Sequence, residues 1–307
     1  KVQSTAKILY TIYFVMTVIQ IVLLLIGGMP LFDTICTAFG TAGTGGFGIK
    51  NDSMASYSTY LQVVITVFMI LFGVNFNAYF FIITKKFAQA FKMEEIRYYF
   101  GIIGVATLII TCNIYHIFGS AARAFQQAAF QVGSIITTTG FATADYNLWP
   151  ELSKCLLLMV MIVGACAGST GGGMKVSRIL ILLKSIKQEV KKTLHPKSVS
   201  VVKVNGKRVS GETMHAVYVY FMAYIFIVIA SVLVVSINNF DFATTFTGVL
   251  TTLNNVGPGI AAVGPVENFA KFSVLSKIVF CFDMLVGRLE IFPFLMLFSS
   301  NLWRGKF

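Results

Sequence analysis

The chain has 307 residues, of which 56% are hydrophobic and 12% are charged, and its mean hydropathy is +0.80. A water-soluble domain could not cover so much apolar surface with polar side chains, so these values exclude an ordinary soluble protein and favour a membrane protein. The formal net charge of +12 is compatible with the basic loops that membrane proteins keep on their cytoplasmic side.

Six apolar stretches are each long enough to cross a bilayer, which takes about 20 residues. They cover residues 8–26, 54–84, 98–117, 155–174, 213–239 and 278–300. Within each successive pair lies a further apolar segment, at 31–47, 121–141 and 242–260. The uninterrupted apolar run in each segment is too short to cross, and the segment is too apolar for a water-exposed loop. The sequence therefore predicts an all-α membrane protein with three re-entrant loops.

Basic residues are distributed unevenly between the two predicted sides of the membrane. Eighteen Lys and Arg residues fall on one side and five on the other. The positive-inside rule makes the richer side cytoplasmic, so the loops enter from outside, and both ends of this multi-pass chain lie in the cytoplasm. The most basic stretch, 175–208, is then a cytoplasmic loop, and no nucleic acid is needed to explain its charge.

The three re-entrant segments resemble one another, because each passes from an apolar stretch into small polar residues and then a glycine. The predicted filter residues are Thr44, Gly45 and Gly46, then Thr138, Thr139 and Gly140, then Asn255, Val256 and Gly257. Glycine lets a chain aim successive carbonyl oxygens at one axis, where they replace the hydration shell of a cation. Close helix packing could explain one such loop, but three in register predict a cation filter.

This internal repeat divides the chain into pore units at 1–92, 93–192 and 212–307, with an insert at 193–211. Asn205-Gly206 in the insert is a strong signal for a β-hairpin, with strands at 198–204 and 207–210, because both turn positions accept positive φ. The unpaired edges of a hairpin can pair with another protein, so the insert is predicted to be a docking site. The alternative is that the hairpin is only a compact connector between two helices.

A glycine-rich stretch ends the fourth predicted span. Residues 164–175 contain five glycines, each of which costs a helix about 1 kcal/mol relative to alanine, so the sequence predicts an unwound segment within the membrane. A phosphate-binding loop is rejected, because Lys175 falls one residue late and Val176 occupies the place of a hydroxyl residue.

Three ionisable residues, Asp283, Arg288 and Glu290, interrupt the sixth span, where charge is costly unless paired or facing water. The spacing of seven predicts Asp283 and Glu290 on one helical face, with Arg288 rotated away. An ion pair between Arg288 and either carboxylate is one interpretation of this cluster, and a functional role in the pathway is the other.

Cysteine and histidine show no spacing of a metal or catalytic site. We expect Cys36, Cys112, Cys155, Cys166 and Cys281 to be small core residues. The three histidines, His116, His195 and His215, form no HExxH motif. The chain is therefore not predicted to be an enzyme.

The motifs at 41–47, 137–141, 164–175, 254–259 and 287–293 together resemble the Trk/Ktr/HKT superfamily of potassium transporters, in particular its TrkH-like membrane subunits. The resemblance covers essentially the whole chain. It implies repeated helix, pore loop, helix units around a pseudo-fourfold pore with a short cytoplasmic β-hairpin. Because only three units are found, the resemblance leads us to expect a first unit upstream of Lys1.

The resemblance implies potassium uptake through a gated pore, with K+ bound at the filter residues and no organic cofactor. It places Arg288 in the pore beside an intramembrane gate loop. The gate residues would be Gly164, Ala165, Cys166, Ala167, Gly168, Ser169, Thr170, Gly171, Gly172, Gly173 and Lys175, together with Arg288. The implied partners are a cytoplasmic nucleotide-binding regulatory subunit of the TrkA or KtrA kind and a second copy in a homodimer. A cation-coupled secondary transporter or a less selective Na+/K+ channel remains the alternative.

Overall fold

The computed structural model describes residues 2–197 and 200–298. Its regular structure is helical apart from one small hairpin, which confirms the predicted fold class. The elements are α1 (Val2–Ile26), α2 (Leu31–Ala42), α3 (Thr59–Phe72), α4 (Phe76–Ile83), α5 (Phe87–Lys92), α6 (Glu94–Phe118), α7 (Ala121–Ile136), α8 (Glu151–Val163), α9 (Val176–Leu194), β1 (Lys203–Val204), β2 (Lys207–Arg208), α10 (Gly211–Val235), α11 (Phe242–Leu253), α12 (Val274–Leu289) and α13 (Ile291–Met296).

The helices form three successive units of one design. Each unit has a long apolar helix (α1, α6 or α10), then a pore helix (α2, α7 or α11), then a helix pair (α3 with α4, α8 with α9, or α12 with α13). In the described part of the chain, the long helices are the three that could each cross a membrane unaided. Between 22% and 28% of their most apolar windows is buried within the chain, so most of their surface is left for lipid.

The second helix of every unit is interrupted, whereas the sequence predicted an interruption in the fourth span alone. The axes of α3 and α4 differ by 91° across a break at 73–75. The chain is unwound at 164–175 between α8 and α9, and α12 ends before Glu290, where φ is +65°. The prediction of continuous spans at 54–84 and 278–300 was therefore wrong.

Local chemistry explains the two breaks that were missed. The side chain of Asn75 caps α4 by accepting a hydrogen bond of 3.0 Å from the N–H of Asn77, which favours a new helix start. Pro293 lacks the N–H that would continue α12 past Glu290, although its ring is tolerated in the first turn of α13. A prediction of spans from segment length and hydropathy takes neither the cap nor the proline into account.

The pore helices form the centre of the molecule and carry much of its buried polar surface. In α7, every residue from Phe130 to Ile136 is buried, and this run includes Gln131 and Ser134. Buried threonines of α11 are Thr244, Thr245, Thr247, Thr251 and Thr252. Polar residues inside and apolar residues outside are expected when the surrounding solvent is lipid and the interior supports a polar path.

A two-residue turn connects β1 and β2, as the Asn205-Gly206 motif predicted. Asn205 and Gly206 have φ values of 53° and 75°, and Lys203 pairs with Arg208 across the strands. The paired strands are shorter than the predicted 198–204 and 207–210, and residues 198 and 199 lie outside the described part of the chain. The side chain of Asn205 accepts a hydrogen bond of 2.7 Å from the N–H of Glu94, so the turn contacts α6.

The expectation that all five cysteines are core residues was wrong. Cys166 is buried and Cys36 is partly buried, but Cys112, Cys155 and Cys281 are exposed on the chain surface. A thiol behaves as a small apolar group, so it is tolerated on a helix face that meets lipid.

Candidate ion pathway

Each re-entrant loop leaves its pore helix with the same backbone conformation. The first and third filter residues have positive φ in every loop: 49° at Thr44 and 65° at Gly46, 57° at Thr138 and 86° at Gly140, and 58° at Asn255 and 105° at Gly257. The middle residues, Gly45, Thr139 and Val256, keep ordinary negative φ. Alternation of this kind turns successive carbonyl groups toward one side of the chain.

Hydrogen bonds to the pore helices repeat as well. The N–H of each middle filter residue donates to the carbonyl five residues earlier: Gly45 to Gly40 at 2.8 Å, Thr139 to Ser134 at 2.8 Å, and Val256 to Thr251 at 2.9 Å. Each acceptor belongs to the pore helix of the same unit. The predicted filter residues therefore form three equivalent turns, each held by its own helix.

The three filter glycines converge on one opening. Gly46, Gly140 and Gly257 border a cavity of about 230 Å³. A Cβ on Gly46 would overlap the carbonyl oxygen of Thr139, and a Cβ on Gly140 would overlap that of Val256, whereas a Cβ on Gly257 would meet nothing within 4 Å. The loops thus stand side by side in chain order.

The third loop does not close against the first. A cavity of about 680 Å³ lies between them and is bordered by Thr44 and Gly45 on one side and by Asn255 and Gly257 on the other. Gly45 and Gly257 are exposed, while the filter residues of the second loop are buried or nearly so. The described residues therefore form three sides of a pathway.

Side chains beyond the filter hold neighbouring loops together, and sequence reasoning missed them. Ser53 Oγ accepts from the N–H of Ala142 at 3.1 Å, which joins the first unit to the second. Asn147 joins the second unit to the third, because its side chain accepts from the N–H of Ala261 at 2.9 Å and donates to the carbonyl of Ala261 at 3.1 Å. Each lies seven residues after its filter glycine, and this equal spacing was the available signal.

The unwound segment at 164–175, which we call the lobe, lies against the filter at its pore-helix end. The hydroxyl of Thr44 donates to the carbonyl of Thr170 at 2.9 Å, and the hydroxyl of Thr138 accepts from the N–H of Gly172 at 2.6 Å. A Cβ on Gly172 would lie 2.7 Å from the carbonyl oxygen of Asn254. The lobe therefore touches all three loops, away from the glycine-lined opening.

Glycine conformations and backbone hydrogen bonds fold the lobe back on itself. Gly164, Gly168, Gly173 and Lys175 have positive φ. The N–H of Val176 donates to the carbonyl of Ala165 at 3.0 Å, and Lys175 Nζ donates to the carbonyl of Gly171. The far side of the lobe borders a polar cavity of about 440 Å³, lined by residues 167–173 together with Lys175, Arg178, Arg288 and Glu290. All the predicted gate residues except Arg288 lie in this lobe.

Arg288 bridges the lobe and the first filter loop. One guanidinium nitrogen donates to Thr44 Oγ1 at 3.3 Å and to the carbonyl of Thr170 at 3.1 Å. The other donates to the carbonyl of Gly43 at 3.0 Å. Arg288 therefore lies between the lobe and the first filter loop.

The carboxylates of the sixth span have other partners. Glu290 forms an ion pair of 2.9 Å with Arg178, and Asp283 accepts a hydrogen bond of 2.8 Å from Ser231. The interpretation of Arg288 as the ion-pair partner of either one was therefore wrong. Asp283 and Glu290 do not share a helical face, because α12 ends at Leu289.

The pathway offers carbonyl and hydroxyl oxygens to an ion. Within residues 2–197 and 200–298, no group of three or more His, Cys, Asp or Glu side chains could hold a metal ion. Rings of backbone oxygens suit an alkali cation that must bind and leave quickly. This donor set differs from the carboxylate cages of tightly held divalent cations.

Repeated re-entrant loops that meet at one opening place the chain in the pore-loop class of membrane proteins. In this chain an unwound lobe lies beneath them. The family model of TrkH, described as a cation transport protein, matches residues 1–118 and 102–307. The chain belongs to this family.

Individual relatives agree over nearly the whole chain. The Trk system potassium uptake protein TrkH of Salmonella typhimurium is 35% identical over 99% of this chain and 63% of its own length. The corresponding TrkG of Escherichia coli is 32% identical over the same shares. The crystal structure of the potassium transporter TrkH from Vibrio parahaemolyticus superposes with a TM-score of 0.90 at 35% identity, over 98% of this chain and 65% of that one. The chain thus spans just under two thirds of the length of these relatives.

Proposed function

We propose that this protein takes up potassium across the cell membrane as the ion-translocating subunit of a Trk-type system. The observation that carries the proposal is the convergence of Gly46, Gly140 and Gly257 on one opening, each at the end of a turn with alternating φ. The relatives are named as potassium uptake proteins. Transport, rather than an enzymatic reaction, is the activity that this donor set supports.

The nine filter residues act together in this proposal. Backbone carbonyls of Thr44, Thr138 and Asn255 and of the two residues that follow each of them replace the water around K+. The negative end of each pore helix dipole favours positive charge at the same place. Closure of the open side between the third and first loops by a fourth loop would complete the coordination.

The lobe serves as the gate in this proposal. It lies directly under the filter, and Arg288 ties it to Gly43 and Thr44 while adding positive charge to the cation path. Conduction then requires the lobe and the guanidinium to move. The cavity of about 440 Å³ beyond the lobe is the space into which the ion would pass.

Partners and placement complete the proposal. The excess of Lys and Arg in the loops supports a cytoplasmic position for the hairpin of residues 203–208 and for both ends of the chain. A nucleotide-binding regulatory subunit would dock on the hairpin, and the protein would work as a homodimer. Deletion of residues 199–209 is expected to abolish binding of that subunit, whereas retained binding would leave the hairpin as a connector.

Rubidium uptake and potassium-dependent growth of cells that express the full-length protein test the proposal. Wild type should restore growth at low potassium and take up rubidium in preference to sodium. Gly140→Ser should lose this preference, because its Cβ would displace the carbonyl of Val256. Gly211→Ser is the matched control, since its position is open and has no positive φ.

Failure of the membrane-inserted wild type to restore growth, or equal sodium flux, would overturn the proposal. The reversal potential under opposed gradients separates a channel from a coupled transporter.

A further inference from the structure

A buried carboxylate holds the lobe at Ala167, three residues before Thr170, where Arg288 binds. Glu95, in the first turn of α6, is 5% exposed. One of its oxygens accepts a hydrogen bond of 2.6 Å from the N–H of Ala167, and the other accepts one of 3.1 Å from the amide of Asn75. A single side chain therefore links the lobe to the break between α3 and α4.

Two backbone hydrogen bonds at the same place are neutral. The N–H of Cys166 donates to the carbonyl of Gly73 at 3.1 Å, and the N–H of Phe76 donates to the carbonyl of Gly168 at 3.1 Å. A hydrogen bond to an ionised group is about twice as strong as a neutral one. The bond from Ala167 to Glu95 is therefore the strongest single attachment at this edge of the lobe.

The buried charge of Glu95 in turn depends on the hydrogen bond that it accepts from the lobe. In the described part of the chain, no lysine or arginine forms an ion pair with Glu95. Its charge is stabilised by the positive end of the 25-residue helix α6 and by its two donors. Movement of Ala167 would leave one oxygen of a buried carboxylate without a partner, which is costly.

We propose that Glu95 is the positioning residue that latches the lobe in its pore-blocking place, so that conduction requires the bond between Glu95 and Ala167 to break. This inference rests on the proposed role of the lobe as a gate. Glu94 is its natural contrast, because it points to the surface and pairs with Lys184 of α9 without touching the lobe.

Cys166, which is fully buried beside Ala167, reports on the latch without requiring ion flux. Every other cysteine of the protein is first replaced by serine, Cys36, Cys112, Cys155 and Cys281 among them. The purified full-length protein is then treated with a water-soluble maleimide. Glu95→Gln should raise the rate of Cys166 modification about tenfold, because its neutral amide oxygen accepts more weakly from Ala167 and its NH2 group faces the donor amide of Asn75. Glu94→Gln should leave the rate unchanged.

Two further measurements keep the outcome decisive. Glu95→Gln should raise resting rubidium uptake, whereas mere structural damage would lower it. Asn75→Asp, which retains the cap acceptor but puts a second carboxylate against Glu95, should raise Cys166 reactivity in the same direction and serves if Glu95→Gln does not fold. If Cys166 reacts as slowly in Glu95→Gln and Asn75→Asp as it does in Glu94→Gln, the latch is overturned. Absence of uptake by wild type would instead overturn the proposed function, while the maleimide rates still judge the latch.

Discussion

The filter turns and the lobe are both rich in glycine, but they are held in different ways. Each filter turn is bonded to the pore helix of its own unit over five residues, as Thr139 is to Ser134. The lobe is held by side chains far from it in the sequence. Thr44 and Arg288 belong to the other two units, and Thr138 and Glu95 belong to its own. Local bonds persist as long as their helix persists. Bonds between segments far apart in the sequence can be exchanged while every helix stays intact, so the same residue type builds a fixed filter and a movable lobe.

Among substitutions in the filter turns and the lobe, the largest loss of rubidium uptake is expected at Gly46. Gly46→Ala should abolish rubidium uptake, because its Cβ would overlap the carbonyl of Thr139 and its φ of 65° is unfavourable for alanine. Gly257→Ala shares the unfavourable φ but meets no atom within 4 Å, so it should retain partial uptake. Uptake is measured at equal membrane abundance. Equal loss in both variants would show that backbone conformation, not contact between loops, is the limiting factor.

Removal of Arg288 should release the lobe while the filter remains intact. Arg288→Ala is expected to raise resting rubidium uptake about tenfold or more, because three hydrogen bonds from a charged group are lost. Arg288→Lys should give a smaller rise, since it keeps the charge but not the bridging geometry. Arg123→Ala, at an exposed position at the start of α7, is the control. Unchanged uptake in Arg288→Ala would argue against any gating role for the arginine.

A weaker effect is expected where one unit joins the next outside the filter. Asn147→Ala removes two hydrogen bonds to Ala261, which costs about 1–3 kcal/mol if the N–H of Ala261 is left unpaired. The ratio of potassium to sodium uptake should fall several-fold as the second and third loops lose register. Asn113→Ala, which removes a bond of 2.8 Å to Ser153 away from the loops, should not change the ratio. A ratio that falls equally in both variants would mean that general loosening, not the joint between units, affects selectivity.

Sequence reasoning found the three repeated turns but missed the contacts that hold the lobe, for a physical reason. The conformation of Thr138 through Gly140 depends on residues at most six positions away, so a repeated local motif reveals it. The bond between Glu95 and Ala167 spans 72 residues, and that between Ser53 and Ala142 spans 89. No periodicity encodes such pairs. Glu290 was misplaced for a related reason, because the predicted face assumed a helix that ends one residue earlier.

The smallest effect is expected at the hairpin, whose turn is local like the filter turns but lies outside the pathway. Gly206 has φ of 75° with open space around its Cβ position, so Gly206→Ala should cost about 1 kcal/mol of local stability from conformation alone. Amide hydrogen exchange in residues 203–208 should quicken about fivefold, while resting rubidium uptake stays at the wild-type level. Gly211→Ala, at an open position without positive φ, should change neither quantity. A change in resting uptake in Gly206→Ala would show that the hairpin conformation reaches the pathway, because the contact of Asn205 with Glu94 lies one residue from the proposed latch.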